Sequence, residues 1–198
     1  MATIFSMIEI MNAALITQGF ADAISENDGT DEWRLLSRNW ASIVEGELED
    51  GLYAFAKEQV ELLTRSDGRF GYDDAYLVPP AAIHVRRLWV EDVQGNRDMT
   101  VDWVQDGAKV YVNAPDGVQI EYVTVADPSL WSANFARGVQ MKLEACLLRS
   151  REAYREAAAM DAEAMAYFDR ARKNSSRSRS AQPPYKPGRI ARARFGRG

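Results

Sequence analysis

The sequence predicts an α+β chain that is mainly helical, with a small antiparallel β region set between helices and an extended basic tail. Three observations predict it. Apolar residues recur every three or four positions on both sides of the middle; the middle itself changes to two-residue alternation broken by turn signals; and from residue 170 onward acidic residues stop while Arg, Ser and Pro accumulate.

The first element, residues 4–18, carries Ile4, Met7, Ile8, Met11, Leu15 and Gln18 on one helical face, and Gly19 is its stop signal. Residues 21–29 are polar and rich in Asp and Gly, which reads as a loop, and Thr30 then stands as an N-cap with Trp33 in the first turn. The second helix runs towards Glu49 with Trp33, Leu36, Trp40, Ile43, Val44 and Leu48 on one side. After Asp50-Gly51 a further helical stretch is expected, because Leu52, Phe55, Ala56, Gln59, Leu62 and Leu63 keep the period; Gly46 and Gly51 are the points where this pair can bend or split.

Residues 66–72 break the period, and Pro79-Pro80 forbids a helix immediately before it. Residues 83–90 lean to β, Gln94-Gly95-Asn96 is a turn, residues 99–104 form a strand, and Asp106-Gly107 is a hairpin signal. Strands over 109–112 and 118–125 flank Ala114-Pro115-Asp116-Gly117, where Pro presets φ and Gly tolerates a positive one. Such short reversals predict an antiparallel meander in place of parallel βαβ units. From Asp127-Pro128-Ser129 the helical period returns, with Phe135, Val139, Leu143, Cys146, Ser150, Tyr154, Ala157, Met160, Ala164 and Phe168 on one face. Unbroken, this helix of about 38 residues would reach about 57 Å. After Arg172 the Ser/Arg run and Gln182-Pro183-Pro184 cannot build a core, and the tail is expected to be extended.

Composition narrows the function classes. With 198 residues, 46% hydrophobic content and five Trp, most of the chain is globular. No apolar run approaches the ~20 residues that cross a bilayer, and Met1-Ala2-Thr3-Ile4-Phe5 lacks the basic region of a signal peptide, so a cytoplasmic site of synthesis and no membrane partner are expected. The single cysteine, Cys146, cannot form an intrachain disulfide and reads as a helix core position. The net charge of −5 conceals a division: residues 170–198 hold ten Lys or Arg and no acid, which leaves 14 basic against 29 acidic residues before them, or −15. Body and tail therefore have different partners.

No catalytic activity, cofactor or metal is expected. A zinc site needs three or four converging ligands, and a nucleophilic triad needs a histidine; one His and one Cys supply neither, and His84 alternates with Ile83 and Val85 on a strand. There is no phosphate-binding glycine loop. Asp73-Asp74 reads as a solvated loop, and Glu45, Glu47, Glu49 and Asp50 as the polar side of an amphipathic helix. Trp33, Trp40 and Phe55 lie at helical core intervals, and Trp89 and Trp103 fit alternating strands, so aromatic packing outweighs base stacking. Three readings of the tail stand side by side: docking into a partner groove, binding nucleic-acid phosphate, or solubilising the terminus.

The order of these elements resembles the head-to-tail adaptor (connector) proteins of tailed phages, including podovirus tail tubular protein A and the corresponding gene transfer agent component. Residues 8–19, Ile-Glu-Ile-Met-Asn-Ala-Ala-Leu-Ile-Thr-Gln-Gly, resemble the family's opening helix. Leu52-Tyr53-Ala54-Phe55-Ala56-Lys57 resembles its aromatic-Phe-Ala helix, with Tyr53 where Trp is usual. Tyr76-Leu77-Val78-Pro79-Pro80 before Ile83-His84-Val85 resembles its Leu-Pro lead into the β region, with Pro80 at a usually acidic position. Ile120-Glu121-Tyr122-Val123 resembles the last strand, and Asp127-Pro128-Ser129-Leu130-Trp131 before Phe135 the approach to the long helix.

The resemblance implies a mainly α-helical bundle, residues 1–172, with a small antiparallel β insertion at about 83–125, and an extended basic C-terminal arm, residues 173–198. It implies a structural ring of twelve copies between portal and tail at the head-tail interface of a virion or phage-like particle made in the host bacterial cytoplasm. Its partners would be the portal protein, a stopper or other tail protein, and passing double-stranded DNA that is not bound specifically. The arm would dock into the portal through Tyr185, Ile190 and Phe195 as anchors and Arg189, Arg192, Arg194 and Arg197 as charge partners. A tail terminator or stopper, and a nucleic-acid-binding protein using the basic tail, are the competing readings.

Overall fold

The computed structural model describes residues 5–23, 29–91 and 94–177. Its helices are α1 (Met7–Thr17), α2 (Asp31–Asp50), α3 (Ala133–Ser150) and α4 (Tyr154–Arg177). Among the described residues, eight strands lie between α2 and α3: β1 (Lys57–Leu62), β2 (Arg65–Asp67), β3 (Asp74–Leu77), β4 (Ala82–Glu91), β5 (Arg97–Asp98), β6 (Trp103–Asp106), β7 (Lys109–Val112) and β8 (Val118–Thr124). Short 3-10 turns, Ala54–Ala56 and Pro128–Leu130, lead into β1 and α3.

Helix starts follow from capping chemistry. Ser6 and Glu9 form a reciprocal capping box on α1, and Thr30 and Ser132 accept from the backbone N–H of Trp33 and Phe135 at the starts of α2 and α3. Gly19, with φ of +75°, follows the last turn of α1.

The expected fold class is corrected. A mainly helical bundle with a small β insertion at 83–125 gives way to four helices and two four-stranded antiparallel sheets whose strands begin at Lys57. The helical period over 52–63 misled because its apolar residues serve two structures. Phe55 and Ala56 belong to the 3-10 turn and pack on the helical core; Val60 and Leu62, two apart, pack on the β core opposite Ile120 and Val118.

The meander is also corrected, although every pairing is antiparallel. The sheets have strand orders β1-β8-β4-β5 and β2-β3-β7-β6, so β7 and β8, joined by the Ala114–Gly117 turn, lie in different sheets. Tyr76, Val110 and Val112 from one sheet and Val85, Leu88, Ile120 and Tyr122 from the other make one buried cluster. At the hairpin, Asp106 is the last paired residue of β6, opposite Lys109, and Gly107 at φ +57° makes the reversal.

The single long helix is in fact a hairpin of two. Glu152 N–H bonds to the Arg149 carbonyl and Ala153 N–H to the Leu148 carbonyl, with Glu152 at φ +62°. This is the Schellman arrangement, which usually places glycine where Glu152 stands. α4 then folds back along α3, with Gly138 facing the ring of Phe168. The helical core gathers around Phe135, which makes ring contacts with Tyr53, Phe55, Trp131 and Phe168; Val123 and Ala126 join from the end of β8.

Candidate functional site

The best-built polar cluster lies where α4 ends. Glu47, in the last turn of α2, and Tyr53, just beyond it, are both buried. The Tyr53 hydroxyl and an Arg172 guanidinium N–H both donate to Glu47 Oε1, and Arg172 Nε–H donates to the Tyr53 hydroxyl oxygen at 3.3 Å. Burial, reinforced by Glu47, pushes the Tyr53 hydroxyl far above the ordinary tyrosine range. Burial pulls the Arg172 guanidinium down, but its bonds to Glu47 and Tyr53 outweigh that, and the net shift is upward. Both groups therefore hold one proton state across the biological pH range. Gly51 makes the turn possible, because a Cβ there would strike the Tyr53 ring and the Glu47 carbonyl. One turn beyond Arg172, Ser175 Oγ accepts from Ala54 N–H at 2.7 Å. Close by, Asn134 of α3 lines a surface concavity with Arg170, Lys173 and Asn174 of α4.

A second buried carboxylate, Glu144, joins α1 to α3. It accepts from Gln140 at 2.8 Å and Gln18 at 3.5 Å, and Arg137 lies 3.7 Å away. Burial raises its carboxyl above the usual range, partly offset by those three partners. The arrangement ties the end of α1 to α3.

The residues first considered for chemistry are dispersed. Asp73 is exposed, but Asp74 is buried, accepting from Ala114 N–H at 2.9 Å and pairing with Arg65 at 3.3 Å; it braces a turn. Half-buried His84 on β4 has a buried Nδ1 without a hydrogen-bond partner. Half-buried Cys146 has its thiol pushed up by burial, which disfavours the reactive thiolate. Among the described residues no three His, Cys, Asp or Glu side chains group as a metal site. No described helix is long and apolar enough to cross a membrane.

The structure brings the resemblance motifs of the helical region together. Asn12 brackets Ala23 through two bonds of 2.8 and 3.0 Å; Ala14, Leu15, Tyr53, Ala56, Trp131 and Phe135 are buried in one core; and Trp131 Nε1–H donates to the Ala126 carbonyl at 2.9 Å. The proposed arm residues Tyr185, Arg189, Ile190, Arg192, Arg194, Phe195 and Arg197 lie outside the described residues, and α4 continues to Arg177, past the expected arm boundary at 173. Sequence reasoning missed the Glu47–Tyr53–Arg172 cluster. Its one available signal was Glu47, three residues after buried Val44 and adjacent to Leu48.

No family model matches the chain, and no curated protein matches it. Among solved structures, the chain is similar to one in the neck of an empty GTA particle computed with C6 symmetry. The two are 18% identical, with 73% of this chain and 78% of that chain covered and a TM-score of 0.28.

Proposed function

We propose that the chain is a non-catalytic subunit of the head-to-tail adaptor ring of a tailed phage or phage-like particle, standing between portal and tail and lining the DNA conduit. The observation that carries the reading is the ordered series of adaptor motifs along the sequence: those at residues 8–19, 52–57 and 127–135 contribute to a single helical core around Phe135. The division of charge supports it, since an acidic body repels passing phosphate while a basic tail is free to engage a separate partner. Residues 180–198 are the portal-docking arm, with Tyr185, Ile190 and Phe195 as anchors. The ring is built of twelve copies.

The test is to mix the purified protein with the portal of its particle, with and without residues 180–198, and image the product by electron microscopy. A ring capping the portal, lost on truncation, is the expected result. No association in either form would overturn the adaptor reading; a ring on purified tail protein that ignores portal would move the chain to the terminator class.

A further inference from the structure

A groove of about 440 Å³ separates α1 from the first half of α3. Ala13, Ala133 and Ala136 leave the space, Phe5 and Ile10 add apolar wall, and Glu9, Arg137 and Gln140 supply its polar edge. The lining is mainly apolar, and about 440 Å³ is room for an aromatic side chain.

The path of the chain brings one segment to this groove. α1 runs in the same direction as α3, with Phe5 near Ala133 at one end and Gln18 bonded to Glu144 at the other. α4 runs back, so its last turns are level with the start of α3, where Asn134 shares a concavity with Lys173 and Asn174. Ala133, the neighbour of Asn134, lines the groove. The chain therefore leaves α4 level with the end of the groove that Ala133 lines. Tyr185 lies eight residues past Arg177, a reach of up to about 26 Å when extended, whereas the groove's stretch of α1 spans about 12 Å.

Charge favours the same occupant. Residues 178–198 carry six Lys or Arg and no acid, and the remainder holds 18 basic against 29 acidic residues, or −11. Aromatic residues suit the apolar wall of the groove, and their flanking cations suit a body of net negative charge.

We propose that the groove between α1 and α3 is a docking site for the chain's own C-terminal segment, which seats Tyr185 or Phe195 between Ala13 and Ala136. The inference goes beyond the adaptor reading and is tested without the portal.

The full-length chain is prepared with photoreactive benzoylphenylalanine replacing Tyr185, and separately Phe195, irradiated in dilute solution, and its adducts mapped by mass spectrometry. Adducts within one molecule to residues 5–13 and 133–140 are expected from at least one position. They should fall about tenfold when Ala13→Trp fills the groove, the loss corresponding to about 1.4 kcal/mol, and also in high salt, which screens the attraction. Ala136→Trp, at a more buried wall position, is the second filling variant, and helical circular dichroism shows that each remains folded. Adducts elsewhere, adducts between two molecules, no adducts, or adducts undiminished in both folded Trp variants would each overturn the proposal. An adduct to residues 1–4 alone would assign the groove to the N-terminal residues and overturn it equally.

Discussion

Two buried carboxylates behave differently because their partners differ. Glu144 is satisfied by amides and one partly exposed arginine, and its carboxyl sits above the ordinary value of 4.5. The folded protein thus holds this proton more tightly than the unfolded chain, and the contribution to stability is full below pH 4.5 and lost as pH rises through the folded value. Glu144→Gln should accordingly stabilise the protein at pH 7, with the gain shrinking towards pH 4; urea unfolding at both pH values reads this. Glu47 depends on Arg172. Arg172→Ala should destabilise by about 2–3 kcal/mol, because it strands a buried carboxylate, and Arg172→Lys should recover only part by losing the bond to Tyr53. Neither carboxylate was legible as buried. In sequence Glu47 is one of four acids in a run, and only the arrival of Arg172 from 125 positions away distinguishes it.

At the scale of the element, the sequence revealed starts better than stops. Thr30 and the strand over 109–112 are where the residues place them, and the strand expected over 118–125 ends one residue earlier, at Thr124, since caps and alternation are local. The break between α3 and α4 was invisible because Glu152 occupies a position that glycine normally marks, while the apolar period continues through the turn. Glu152→Gly should therefore raise stability by about 1 kcal/mol, read as a higher thermal midpoint. Gly138→Ala should do the opposite. Its Cβ would meet the Phe168 ring at 2.6 Å, and an overpacking cost of about 1–3 kcal/mol exceeds the helix-propensity gain of about 1 kcal/mol. A net loss in urea midpoint is expected. β1 was misread for the reverse reason: Phe55 and Ala56 belong to the preceding turn, and only the partner strand β8 settles Lys57–Leu62 as extended.

For the whole molecule, the division of charge was legible from residue counts alone, whereas the partition of strands into two sheets was not, because it depends on distant pairings such as Lys57 with Val123. Any duplex DNA binding should arise from residues 170–198: its log affinity should fall against log salt with a slope no steeper than about −9, ten cations at about 0.9 each. Removal of 178–198 should take away most of it, and a steeper slope would assign DNA contacts to the body; fluorescence anisotropy over a salt series decides. The cluster at the end of α4 has a mechanical consequence. Arg172 and Ser175 are fastened to Glu47, Tyr53 and Ala54, immediately before β1. Tension on the C-terminus would reach the α2–β1 junction directly, and the two charge-assisted bonds of Arg172 and the Ser175 bond would have to rupture before the end of α4 could leave that junction. The helical end is anchored like a tether, and a pull on it is shared between the helices and the first sheet.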